Sequence, residues 1–141
     1  MLKGIPEILS PDLMKTLMEM GHGDEIVLAD GNFPAASHAQ RLIRSDGHNI
    51  PDLLEAILAF FPLDRYVEQP IALMDVVPGD NVNPTIWNEY YNIVNKENIQ
   101  DVSFEKMERF EFYQRAKSAY AIVATSEKAL YANIILKKGV I

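Results

Sequence analysis

Two polar side chains flank a short apolar segment near the amino terminus. His22 lies between two glycines, just before the run Glu25–Ala29, and Asp30 follows that run directly. A neutral imidazole can give or take a proton near pH 7, and glycines on both sides let the backbone turn sharply and leave the ring uncovered. A carboxylate at the end of a strand can accept a hydrogen bond from a ligand hydroxyl. The alternatives are a histidine that only fills a helix-to-strand connection and an aspartate that bonds its own turn.

Three further candidates lie in the second half of the chain. The planar guanidinium of Arg109 could clasp two adjacent hydroxyls or a carboxylate, whereas an ion pair with Glu105, four residues earlier, is the alternative. Tyr131 and Asn133 precede the last apolar run. A phenol and an amide beside a strand could both contact a sugar, but a core tyrosine and a turn asparagine would give the same pattern.

A metal site is not indicated. Asp24, Asn32 and His38 are weaker polar candidates, and a set of His22, Asp24 and His38 matches no known spacing of metal ligands. We therefore expect no bound metal.

The segments that would position these side chains alternate between helices and strands. Ser10 and Pro11 form an N-cap signal, and Gly21 stands where a left-handed C-terminal cap would lie. Further helices are predicted over residues 52–61, after Asn83-Pro84, and over residues 103–118, where Phe110, Phe112 and Tyr113 are expected in the core. Apolar runs predict strands at residues 25–29, 71–77, 119–125 and 133–136, and residues 41–44 are a further candidate strand. The alternation predicts a single-domain three-layer α/β/α sandwich with a mixed, mostly parallel sheet.

Composition narrows the function classes. The chain has 141 residues, no cysteine and a formal net charge of −7, which suits one domain in a reducing cytoplasm and excludes disulfides. No basic cluster points to nucleic acid, and no apolar run is long enough to span a membrane or to form a signal peptide. Dinucleotide, P-loop and nucleophile-elbow signatures are absent from the sequence.

Three segments together resemble a known family. GHGDEIVLADGNFPA begins at Gly21, RFEFYQRA begins at Arg109 and YANIILKKG begins at Tyr131, and their order and spacing are similar to those of the L-fucose mutarotases and ribose pyranases. The resemblance covers essentially residues 1–141. It implies a cofactor-free α/β fold, a ring-shaped homodecamer, and conversion between the α and β anomers of L-fucose with some activity on the pyranose form of ribose.

The resemblance also assigns roles to individual residues. His22 corresponds to the family's proton-transferring histidine, and Asp30 and Arg109 to sugar-binding positions. The Tyr-x-Asn motif corresponds to Tyr131, Ala132 and Asn133. Arg109 favours the fucose branch, since the ribose branch tends to carry a histidine there.

Two positions depart from the common family pattern. Gly31 stands where many relatives have alanine, and Ala132 stands where many have glycine. If the methyl group of Ala132 narrows the pocket, the preferred sugar could differ.

The implied reaction needs only acid and base groups. Opening a cyclic hemiacetal requires a base for the anomeric hydroxyl and an acid for the ring oxygen, and the roles reverse on closing. His22 would move one proton, and Tyr131 is a candidate for the second. A ribose pyranase, a non-catalytic sugar-binding or regulatory module and a metal-dependent sugar isomerase remain alternatives. His22 and Asp30 flank an extended strand, so they lie roughly 16–20 Å apart unless the loops fold back, and the site is expected to be shared between neighbouring subunits.

Overall fold

The computed structural model describes residues 1–97 and 102–141. Five helices and six strands are present in this described part of the chain. In chain order they are α1 (Pro11–Glu19), β1 (Glu25–Ala29), α2 (Ala35–His38), β2 (Leu42–Ser45), α3 (Ile50–Leu58), β3 (Ile71–Met74), α4 (Ile86–Glu97), β4 (Phe104–Met107), α5 (Arg109–Ser118), β5 (Ala121–Thr125) and β6 (Ile134–Lys137).

The six strands form one sheet in the order β2-β5-β1-β6-β3-β4. The β2–β5, β5–β1 and β3–β4 pairs are parallel, whereas β6 runs antiparallel to both of its neighbours. One apolar cluster packs α1, α3 and α4 on one face of the sheet, and a second packs α2 and α5 on the other face. The predicted three-layer sandwich with a mixed, mostly parallel sheet is confirmed.

Local signals explain where two helices begin. The Ser10 hydroxyl accepts a hydrogen bond from the backbone N–H of Leu13 (3.1 Å), and the Asn49 side chain does the same for Asp52 (2.8 Å). Each helix has a proline at its first or second position (Pro11 and Pro51), where the missing N–H costs no hydrogen bond. The strands β1, β3 and β5 are apolar and almost wholly buried because helices cover both faces of the sheet.

The predicted helix over residues 103–118 is wrong in its first third. Phe104–Met107 is the edge strand β4, which pairs with β3 in parallel. The helix α5 begins only at Arg109, where the carboxylate of Glu108 accepts hydrogen bonds from the first turn. A segment of four residues is too short for periodicity to separate strand from helix, so pairing with β3 decides its structure.

Other details also differ from the sequence prediction. Met20, the residue after α1, has an extended backbone. The left-handed backbone lies at Gly23 (φ 87°) rather than at Gly21. Phe112 is fully buried as expected, but Phe110 is 63% exposed. The strand predicted over residues 71–77 ends at Met74, and the other boundaries shift by a few residues. Among the described residues, no helix is long and apolar enough to cross a membrane.

Candidate active site

Four of the predicted site residues meet at one cavity. A cavity of about 210 Å³ at the carboxyl end of β1 is lined by Asp30, Arg109, Tyr131 and Asn133. The sheet explains this convergence, because β6 runs antiparallel to β1 and brings the residues before Ile134 beside the end of β1. The remaining lining residues are Asn32, Phe33, Met74, Val77, Asp80, Tyr113 and Leu130. Residues far apart in the chain therefore form one polar pocket.

Asp30 and Asn133 hold each other in place. The backbone N–H of Asp30 donates to Asn133 Oδ1 (2.8 Å), and Asn133 Nδ2 donates to Asp30 Oδ2 (3.0 Å). The other carboxylate oxygen of Asp30 accepts from the backbone N–H of Asn32 (2.9 Å). Burial raises the pKa of the Asp30 carboxyl, and these hydrogen bonds oppose the shift. The pair presents oriented acceptors and donors to a ligand.

Helix α4 fixes the backbone of the Tyr-Ala-Asn segment. Tyr131 has a left-handed backbone (φ 58°), which is unusual for a residue with a side chain. Trp87 Nε1 donates to the Tyr131 carbonyl (2.8 Å), and the Tyr90 hydroxyl donates to the Ala132 carbonyl (2.7 Å). Ala132 is fully buried in the apolar cluster and does not line the cavity. Its methyl group therefore does not narrow the pocket of this chain.

The hydroxyl of Tyr131 contacts a carboxylate that the sequence analysis did not single out. Tyr131 Oη donates to Asp80 Oδ2 (2.5 Å) and accepts from the backbone N–H of Val77 (3.3 Å). The hydrogen bond to Asp80 raises the pKa of the Tyr131 phenol. In the sequence, Asp80 lies three residues after the strand predicted over residues 71–77, and this position was the one available signal.

Arg109 opens α5 at the mouth of the cavity. Its guanidinium carbon lies 5.1 Å from the ring centroid of Phe110 and 5.6 Å from that of Tyr113. The alternative ion pair with Glu105 is wrong, because Glu105 lies on β4 rather than one turn earlier in the helix. Glu105 pairs instead with Arg115, at 2.8 Å. In the part of the chain that is described, Arg109 forms no salt bridge, so its donors can reach a ligand.

His22 lies at the opposite end of β1. Its Nε2 is 3.2 Å from Asp64 Oδ1, and its side chain is 45% exposed. Asp64 also accepts the backbone N–H of Tyr66 (3.0 Å); this bond, and then the contact with His22, lower the pKa of the Asp64 carboxyl. Asp64, a further residue that sequence reasoning missed, thus orients the imidazole ring. His22 lines a second cavity. That cavity shares no lining residue with the cavity that Asp30, Arg109, Tyr131 and Asn133 line (the Asp30 cavity).

His38, the remaining histidine candidate, contacts neighbouring side chains. His38 Nδ1 lies 2.9 Å from the Ser37 hydroxyl, and its ring packs edge-on against Phe33 and Tyr113. Across residues 1–97 and 102–141, no group of three or more His, Cys, Asp or Glu side chains could hold a metal ion.

The fold and cavity define a small α/β protein with a polar pocket at one end of its sheet. The chain belongs to the RbsD / FucU transport protein family, whose model matches residues 3–141. It is 52% identical over 140 residues to an L-fucose mutarotase of Actinobacillus pleuropneumoniae serotype 5b (99% of this chain, 97% of that protein). It is 55% identical over 144 residues to the mouse fucose mutarotase (98% and 94%).

Solved structures agree with this assignment. The fucose mutarotase of Streptococcus pneumoniae in complex with L-fucose superposes with a TM-score of 0.95 at 57% identity, over 99% of both chains. Bacillus subtilis RbsD complexed with D-ribose reaches a TM-score of 0.77 at 23% identity, over 100% of this chain and 99% of that one, and shows the shared fold.

Proposed function

We propose that this protein is an isomerase that interconverts the α and β anomers of L-fucose. The observation that carries the proposal is the convergence of Asp30, Arg109, Tyr131 and Asn133 on one cavity of about 210 Å³. Carboxylate, guanidinium, phenol and amide groups together offer donors and acceptors to several hydroxyls of one small ligand. Relatives above 50% identity that bear the name of this activity support the choice of sugar.

The reaction is acid–base catalysis without a cofactor. A base removes the proton of the anomeric hydroxyl, the bond between C1 and the ring oxygen breaks, and an acid protonates that oxygen; closing on the other face of the carbonyl gives the second anomer. A positioned acid or base contributes about 10²–10⁴-fold. His22 is one proton carrier, held by Asp64, and Tyr131 is the second.

A neighbouring copy of the chain completes the site. Within one chain, the five residues of β1 separate His22 from Asp30 by about 16 Å, which is more than a monosaccharide spans. The cavity beside His22 is open and largely apolar, and Met18 at its edge is 80% exposed. Such a surface suits burial against a second subunit. We therefore propose a homo-oligomer in which His22 of one copy faces the Asp30 cavity of the next, and the family resemblance implies that this assembly is a ring of ten copies. The protein has no cysteine and so no disulfide, which fits the reducing cytoplasm as its proposed location.

The direct test is saturation transfer between the anomeric proton signals of L-fucose, measured by NMR with and without protein. Exchange well above the spontaneous rate supports the proposal, and the same measurement on D-ribose tests the pyranase alternative. His22→Ala is the matched control, because it keeps the whole Asp30 cavity. Exchange unaffected by a chelator opposes a metal-dependent isomerase.

A non-catalytic sugar-binding module is the second candidate. The observation that favours it is the placement of His22 away from the Asp30 cavity within one chain. Such a module would bind L-fucose, with line broadening or a calorimetric signal, while the anomers exchanged only at the spontaneous rate.

A further inference from the structure

The contact between Asp80 and Tyr131 fixes the direction of a hydrogen bond inside the cavity. The two side chains come from different loops, one after β3 and one before β6, and both line the Asp30 cavity. A carboxylate can only accept hydrogen bonds, so the 2.5 Å contact requires the Tyr131 hydroxyl to donate to Asp80. The proton of the phenol is therefore engaged by Asp80 and is not available for donation to a ligand.

The second contact of the hydroxyl limits what remains for a substrate. The backbone N–H of Val77 donates to Tyr131 Oη at 3.3 Å and occupies one of its acceptor positions. Among the described residues no other group contacts this oxygen, so one acceptor position is left. A sugar hydroxyl can fill that position only by donating its own proton. The left-handed backbone of Tyr131, held by Trp87, keeps the ring in this orientation.

We propose that Asp80 is a positioning residue that turns the Tyr131 hydroxyl into a proton acceptor for the sugar and takes up the phenolic proton during ring opening. The inference rests on the proposed mutarotase function. The anomeric proton passes to Tyr131 Oη as the phenolic proton passes to Asp80 Oδ2. C1 becomes a carbonyl carbon as its bond to the ring oxygen breaks, and the imidazolium of His22 from the neighbouring copy protonates that oxygen. Ring closure reverses each transfer, so no oxidant or reductant is needed.

The position of Asp80 makes this role testable. Asp80 is exposed and follows Gly79, whose left-handed backbone (φ 90°) makes the turn. Removing its charge therefore costs no buried interaction, and the fold is expected to persist. Asp80→Asn keeps an oxygen that can accept the phenolic hydrogen bond but cannot take up the proton. Asp75→Asn is the matched control, since its carboxylate lies in the same loop and, among residues 1–97 and 102–141, accepts a hydrogen bond only from the adjacent Val76 N–H.

The experiment measures kcat and KM for anomer exchange of L-fucose, by NMR at several sugar concentrations, together with the melting temperature. We expect Asp80→Asn to lower kcat by about 10²-fold while KM changes little, Asp80→Glu to recover part of the rate, and Asp75→Asn to match the wild type. The double variant Asp80→Asn/Tyr131→Phe should be no slower than Tyr131→Phe alone, because Asp80 acts through Tyr131.

Three outcomes overturn the inference. If the wild type is active but Asp80→Asn keeps its kcat, or if the two substitutions act additively, Asp80 does not work through Tyr131. If the wild type itself exchanges L-fucose only at the spontaneous rate, the proposed function fails and this inference falls with it.

Discussion

Mixed assemblies of two inactive variants should recover anomer-exchange activity if the active site is shared between copies of the chain. His22→Ala removes the proton carrier but leaves the Asp30 cavity intact. Asp30→Ala removes the carboxylate that binds Asn133 but leaves His22 and Asp64 in place. The loss of hydrogen bonds at Asp30 costs about 1–3 kcal/mol of unfolding free energy, which a circular dichroism melt would detect. Each variant alone has no complete site.

The geometry sets the size of the recovery. In an equimolar, randomly assembled mixture, half of the copies supply an intact His22, and half supply an intact Asp30. A site that takes one residue from each of two neighbours is then complete in about one quarter of cases, so about one quarter of the wild-type activity should return. A site formed within one chain would recover nothing, since every chain carries one of the two substitutions.

The assay is NMR exchange of L-fucose anomers by assemblies co-expressed with two different tags and purified on both. The pair Asp30→Ala and Asn133→Ala is the matched control. Those two side chains bond each other within one chain, so mixed assemblies contain no complete cavity and should remain inactive. If doubly tagged assemblies of His22→Ala and Asp30→Ala are also inactive, the shared-site reasoning is refuted and the two residues must meet within one chain.

Three further predictions follow from the same geometry. His22→Ala alone should slow anomer exchange by about 10²-fold or more with an unchanged circular dichroism spectrum. Near-normal exchange would mean that another residue transfers the proton. Arg109→Lys should raise KM roughly tenfold, because an ammonium cannot reproduce a bidentate contact; an unchanged saturation curve would argue against sugar contact. Hydrogen bonding from the Tyr66 N–H lowers the pKa of Asp64, so this carboxylate stabilises the fold above its unfolded pKa of 3.8 and the contribution is lost as the pH falls through the folded value. Urea unfolding between pH 5 and pH 2 should therefore show a weaker loss of stability in Asp64→Asn than in the wild type, and equal slopes would contradict this.

Local sequence signals were reliable where neighbouring residues decide the structure. The serine and proline at the start of α1 place its N-cap, and the run Glu25–Ala29 reads as a buried strand because every residue in it after Glu25 is apolar. The same local information was ambiguous at Phe104–Met107, where an alternating and a helical pattern cannot be separated over four residues. Pairing with a strand about thirty residues earlier resolved that segment.

Candidate site residues divide in a similar way. Residue types and the family resemblance pointed to His22, Asp30, Arg109 and the Tyr-Ala-Asn segment. The length of the intervening strand also predicted that His22 and Asp30 are separated, but nothing in the sequence indicated that Asp30 and Asn133 hold each other in one cavity. The structure joins Asp30 to Asn133, 103 residues away, and separates it from His22 by the length of one strand.

The sequence by itself determined the apolar strands, the helix caps and the chemical types of the candidate side chains, because each depends on residues within a few positions of one another. Only the tertiary structure decided that Asp80 meets Tyr131, 51 residues later, and that Asp64 meets His22, 42 residues earlier. These contacts depend on the strand order and on the antiparallel insertion of β6 between β1 and β3. Long-range pairing of this kind is set by packing of the whole sheet against its helices, and no local periodicity encodes it.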